Sequence, residues 1–150
     1  MSFQGASVLS LDAKGRLVIP ARHRDALIGL CGGNLVLTTH PHGCLLVYPE
    51  PAWSPVRAQI LAIPSMDVRA ADLRRLFVGN ALDEVMDASG RVPVSASLRE
   101  WAKLDKQVRL MGLGTHFELW SESVWQQKQA EAAARFAGGE LPPGFENLVL

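Results

Sequence analysis

Two short stretches, "LDAKGRLVIPARHRDAL" at residues 11–27 and "MDASGRVPVSASLREWA" at residues 86–102, hold the residues best placed to do chemistry. The first groups Asp12, Lys14, Gly15 and Arg16; the second groups Asp87, Ser89, Gly90 and Arg91. Asp at the first corner and Gly at the fourth is the pattern of a type I turn closed by a left-handed glycine, a common join between two adjacent strands. Such a turn sets Arg16 and Arg91, and in the first copy also Lys14, at the exposed end of a two-stranded ribbon. A ribbon of that width enters the DNA major groove, where Arg can bond guanine through two N–H groups while Lys neutralises phosphate. The chemistry on offer is recognition of base edges and anions. Arg22 and Arg24 follow closely enough to hold backbone phosphates. Arg24 recurs as Arg99 in the second stretch, so the position suits a structural pairing with a turn carboxylate equally well, and the sequence leaves both roles open.

The second stretch is the weaker reader. Ser89 and Ser97 replace Lys14 and Arg22, and residues 87–100 carry no net charge. The first copy is therefore expected to dominate affinity, with Arg91 a secondary contact or a structural residue. A subunit offering so few phosphate contacts needs several subunits on several DNA sites at once, acting through effective concentration.

Other candidates fare worse. His23 aligns with Leu98 at an apolar helical position, which makes it a packing residue. "HPHGC" brings His40, His42 and Cys44 together, yet Pro41 and Gly43 favour a hairpin turn and no second ligand pair has zinc-finger spacing. "GLG" at 112–114 lacks the third glycine of a dinucleotide site. A hydrolase built on Asp12 and Asp87 would need carboxylates already committed to their turns, with no accompanying nucleophile or metal set. The reading is a non-enzymatic protein with no cofactor, metal or small-molecule substrate. Trp53, Trp101, Trp120 and Trp125 are expected in the core or at subunit contacts rather than as stacking platforms.

The elements that position these residues form a tandem repeat. A shift of 75 residues matches Asp12 to Asp87, Gly15 to Gly90, Arg16 to Arg91 and Arg24 to Arg99; past the short helix it drops to 72, matching Val36 to Val108, Tyr48 to Trp120 and Trp53 to Trp125. Within the copies, "NLVLTTH" with "CLLVYP", and "QVRLMG" with "HFELW", read as further strands, so each copy is β-β-α-β-β. Pro20 suits the first turn of one short helix and Ser95 the N-cap of the other, with Gly29, Gly32 and Gly33 ending the first. A helix follows each copy: one near residue 50, expected to break at Pro55 and Pro64, and one capped by Ser121 and stopped at Gly138. Between copies a linking helix is expected, capped by Ser65. The divisions are residues 1–62, 63–80, 81–137 and a loose tail at 138–150. Four strands and one helix make a poor core alone, so the copies are expected to pair about a pseudo-twofold axis as one α+β unit.

Composition agrees with one ordinary domain: 150 residues, 48% hydrophobic, with 15 basic and 15 acidic residues. Zero net charge argues against binding nucleic acid through bulk charge, but the cations gather near the N-terminus and the glutamates after residue 117. No apolar run approaches the ~20 residues of a membrane span, and the start lacks a signal-peptide pattern. A cytoplasmic protein is expected, with Cys31 and Cys44 as free thiols.

Across nearly the whole chain, "FQGASVLSLDAKGRLVIPARHR", "MDASGRVPVSASLRE" and "GLGTHFELWSESVW" resemble the MraZ family, built from two AbrB-like repeats. The resemblance implies a swapped-hairpin barrel with flanking helices. It also implies a nucleoid-associated bacterial transcriptional regulator that binds short direct repeats in double-stranded DNA upstream of the division and cell-wall gene cluster, as a ring of identical subunits. An AbrB-like antitoxin or protein-interaction module, with only autoregulatory DNA binding, is the alternative. One departure stands out: the proline that follows the strand in the first copy is displaced in the second to Pro93, which cannot donate to a ladder and so belongs at an edge.

Overall fold

The computed structural model describes residues 2–64 and 66–150. Its elements are β1 (Phe3–Ser10), β2 (Arg16–Val18), α1 (Ala21–Cys31), β3 (Asn34–Thr39), β4 (Leu45–Pro49) and α2 (Glu50–Ala62), then α3 (Val68–Arg74) running into a π-helical turn at Arg75–Gly79. The second half repeats the order as β5 (Leu82–Val85), β6 (Arg91–Pro93), α4 (Ala96–Trp101), β7 (Gln107–Gly114), β8 (Phe117–Ser121) and α5 (Glu122–Ala137).

Strand pairing crosses between the copies. A six-stranded antiparallel sheet runs β1-β7-β8-β4-β3-β5, and a two-stranded sheet pairs β2 with β6. The first strand of each copy thus lies against the third strand of the other, and exchanging the copies reproduces both sheets. This is the pseudo-twofold. Pro93 ends the three-residue strand β6 opposite Arg16, a position where no ladder donor is required.

The main core gathers residues of both sheets and of α1 and α4. Leu17, Ile19 and Leu27 of the first copy and Val92, Val94 and Leu98 of the second are buried together with Phe117 and Leu119. A second cluster on the outer face of the sheet packs Val36, Leu46 and Tyr48 under Trp53 of α2 and the π turn. The wide turn exposes carbonyls to side-chain donors: Thr38 Oγ1 donates to Phe77 O at 2.7 Å and Thr39 Oγ1 to Leu76 O at 2.6 Å.

Several local expectations meet the structure directly. Ser95 Oγ accepts from Leu98 N and Ser121 Oγ from Val124 N, as N-caps do. Pro20 stands one residue earlier than expected, at the N-cap of α1. Gly29 lies inside α1, and Gly32, at φ +63°, ends it. Pro55 does not break α2, which continues through it. It sits early in the helix, where only the bond to the Pro51 carbonyl is forgone, while Trp53 and Ile60 anchor the helix by burial. Ser65 lies outside the described residues; the side chain that caps α3 is Asp67, accepting from Arg69 N at 2.8 Å.

Helix α5 buries no residue fully. It is fixed at its first turn, where Arg109 donates to both carboxylate oxygens of Glu122 at 2.8 Å and the Trp120 and Trp125 rings meet at 5.6 Å. Residues 138–150 are exposed for most of their length, with one 3-10 turn at Phe145–Asn147.

Candidate nucleic-acid interface

The two β-ribbon tips are built alike. Asp12 Oδ1 accepts from the backbone N–H of Lys14 at 2.9 Å and of Arg16 at 2.8 Å, and Oδ2 accepts from Arg16 Nε at 2.7 Å. Asp87 repeats this with Ser89 N, Arg91 N and Arg91 Nε at 2.9, 2.9 and 2.7 Å. Each aspartate therefore closes its turn and braces the following arginine. The backbone N–H of Arg16, and then its side chain, hold the Asp12 carboxyl below the usual carboxylate range; Arg91 does the same to Asp87.

With Nε committed to the aspartate, Nη1 and Nη2 of Arg16 have no hydrogen-bond partner among the described residues. A guanidinium fixed along one edge and open along the other is prepared for a two-point contact with a base or phosphate. Lys14 is exposed beside it. The Arg91 guanidinium is braced in the same way, but Ser89 is its neighbour.

Each tip is also held by the opposite copy. Gly15 O accepts from Val94 N at 3.2 Å and Gly90 O from Ile19 N at 2.8 Å. Both glycines adopt left-handed backbone, at φ +75° and +81°. Both also lie beneath an arginine of the other repeat: a Cβ on Gly15 would stand 2.6 Å from Arg99 Cζ, and one on Gly90 would overlap Arg24 Nε. Glycine is needed twice over, for the backbone angle and for the guanidinium laid against it.

Arg24 therefore belongs to the second tip in space although it follows the first in sequence. Its Nε donates to Ile19 O at 2.7 Å. Arg22 reaches across to β1, donating through Nη2 to Ser7 Oγ at 2.8 Å and through Nε to His23 Nε2 at 3.1 Å. Lys14 and Arg16 share one tip, Arg91 and Arg24 share the other, and Arg22 lies along the edge strand.

His23 is buried edge-on against Phe3 and Phe117, with ring centroids 5.8 and 5.0 Å away. Burial, aided by the charge of Arg22, pulls its pKa below the ordinary histidine range. His40 and His42 do meet, at 4.6 Å between ring centroids, but Cys44 is fully buried and burial pushes its thiol pKa far up. Among the described residues no group of three His, Cys, Asp or Glu side chains is arranged to hold a metal ion. Trp53 and Trp120 are buried; Trp101 is exposed and donates to His40 O at 3.2 Å.

The sequence pattern does not single out the wall facing the first tip. An open groove there runs between Asp12, Ala13 and Gly15 on one side and Arg99, Lys103 and Lys106 on the other. The match of Arg99 to Arg24 is visible in the repeat, but its position over the other copy's turn follows from the crossed strand pairing.

The relatives of the chain agree with this organisation. A family model described as "MraZ protein, putative antitoxin-like" matches it twice, over residues 2–76 and 77–140. The protein named "Transcriptional regulator MraZ" from Dechloromonas aromatica (strain RCB) is 58% identical over 148 residues, covering 99% of each chain. Its namesakes from Aromatoleum aromaticum and Nitrosomonas europaea are 59% and 45% identical over 148 residues, again 99% of each.

Proposed function

Because the chain belongs to the MraZ family, we propose that it is a transcriptional regulator that binds double-stranded DNA sequence-specifically through its first β-ribbon tip. Its targets are short direct repeats upstream of the division and cell-wall gene cluster. Lys14 and Arg16 enter the groove, Arg22 steadies the backbone from the side, and Arg91 is a secondary contact. Arg24, tied to Ile19 and laid over Gly90, serves the second tip's shape. One tip per subunit gives few contacts, so several subunits of a homo-oligomeric ring engage successive repeats together. The protein works in the cytoplasm, at the nucleoid.

The observation that carries this reading is the braced Arg16: Nε fixed to Asp12 at 2.7 Å, the outer edge open, and Lys14 alongside. Preorganising the guanidinium removes part of the ordering cost of a specific contact. The test is binding of wild type and Arg16→Ala to a labelled duplex carrying the direct repeats across a salt series, with assembly size followed by analytical ultracentrifugation. Loss of specific binding at unchanged assembly size is expected. Equal binding by both proteins would remove the tip from the DNA interface and bring the partner-module alternative forward.

A further inference from the structure

We propose that the surface meeting DNA at the first tip is built from both repeats, with Arg99 of α4, backed by Lys103 and Lys106, taking a backbone phosphate beside the tip. This rests on the reading of that tip as the DNA reader.

The groove described above brings these cations to the tip, and its two walls are fixed to one another. Leu11 N donates to Lys106 O at 3.0 Å, so the segment after α4 is tied to the strand end that leads into the turn. At the end of α4 the chain bends through Lys103 at φ +53°, which leaves Lys103 and Lys106 both exposed. The Arg99 guanidinium lies directly against Gly15.

The mirror position at the second tip makes the comparison. There Arg24 occupies the place of Arg99, and its Nε is already satisfied by Ile19 O. Arg99 has no side-chain hydrogen-bond partner among the described residues, although it lies against a turn of the same shape. Past the helix, where the shift is 72, Cys31 and Asn34 stand where Lys103 and Lys106 are, and under the 75-residue shift Ser89 stands where Lys14 is. The first side gathers Lys14, Arg16, Arg99, Lys103 and Lys106 against Asp12, Glu100 and Asp105, and Asp12 is committed to Arg16. The matching positions of the second side hold Arg24 and Arg91 against Asp25 and Asp87. The scaffold is symmetric and its charge is not. A free guanidinium one side chain away from a ribbon tip suits the phosphate flanking the base step that the ribbon enters.

The salt dependence of binding separates a phosphate contact from a merely structural role, since each neutralised phosphate contributes about 0.9 to the slope of log K against log salt. Full-length wild type, Arg99→Met, the Lys103→Met/Lys106→Met pair, Lys128→Met on α5 and Arg16→Ala are titrated with the direct-repeat duplex over a salt series, each with a thermal unfolding curve. Arg99→Met should bind about tenfold more weakly near physiological salt, with the slope reduced by about 0.9 per engaged subunit. The lysine pair should lower the slope likewise, and Lys128→Met should match wild type. If Arg99→Met proves unstable, the two exposed lysines carry the test alone. Wild-type slopes for Arg99→Met and the lysine pair, alongside lost binding in Arg16→Ala, would overturn the shoulder and spare the tip. Wild-type binding by Arg16→Ala would instead overturn the reading of the tip.

Discussion

Gly15→Ala and Gly90→Ala impose the same backbone insult at pseudo-symmetric sites, and the structure gives them different consequences. Both glycines are left-handed, at φ +75° and +81°, and forcing alanine into that region costs roughly 1–2 kcal/mol. Each new methyl also collides with an arginine from the other repeat. At Gly15 that arginine is Arg99, which can swing away without breaking a side-chain hydrogen bond among the described residues. At Gly90 it is Arg24, which moves only by giving up its 2.7 Å bond to Ile19 O. A hydrogen bond from a charged donor contributes about 1 kcal/mol once discounted for partial exposure.

Gly15→Ala should therefore cost about 1–2 kcal/mol and Gly90→Ala about 2–3. For a chain of this size each kcal/mol lowers Tm by roughly 2–4 °C, so the two variants are separable by calorimetry at one fixed protein concentration, which assembly makes essential. DNA binding should rank them in the opposite order, since Gly15→Ala displaces Arg99 and alters the tip that carries Lys14. Equal stability losses, or a larger loss at Gly15, would refute the argument that Arg24 is anchored and Arg99 is free.

Two further outcomes follow from buried and half-buried groups. Burial holds the His23 pKa below its unfolded value of ~6.5, so the unfolded chain takes up the proton first and stability drains away as pH falls through ~6.5 towards the folded value. Denaturation at about pH 7.5 and about pH 5.5 should therefore show a smaller acid loss for His23→Phe than for wild type. Part of the loss should persist, because burial lowers His40 and His116 as well; an unchanged acid loss would place the titration elsewhere. Arg109→Met removes both 2.8 Å bonds to Glu122 and should cost about 1 kcal/mol. Its signature is faster amide exchange in α5 relative to the sheet, and uniform exchange across both would show that the ion pair does not hold the helix.

Much of this architecture is legible in the residues because the signals are local. Asp at one corner and Gly at the other name the turns, Ser95 and Ser121 name helix starts, and the 75-residue echo gives the repeat. Pairing partners are not local. Nothing in the residues of β1 says that its neighbour is β7 rather than β2, because the assembly of the whole sheet decides it. That is why Arg24, adjacent to the first turn in sequence, lies over the second, and why the lysines facing the first tip belong to the segment that follows α4 in the other repeat. Pro55 fails as a helix breaker for a related reason: burial of Trp53 against the sheet, and of Ile60 further along, outweighs one missing backbone bond.

Crossed pairing also explains why the unit is written twice. A tip of four or five residues has no core of its own; its aspartate closes the turn and braces the arginine behind it. The remaining constraints come from the partner repeat: a carbonyl bond at Gly15 or Gly90, and an arginine laid across the turn. Either repeat alone would leave its turn unsupported on that side. Two copies supply two supported tips, and once each scaffold half depends on the other, the positions that keep the scaffold are held alike in both: Asp12 and Asp87, Gly15 and Gly90, Arg16 and Arg91, Arg24 and Arg99. The positions free of that duty are where the copies differ, with lysines at 14, 103 and 106 on one side and serine, cysteine and asparagine at the matching positions of the other. Symmetry therefore marks the residues that build the tips, and its breakdown marks the side proposed to meet DNA.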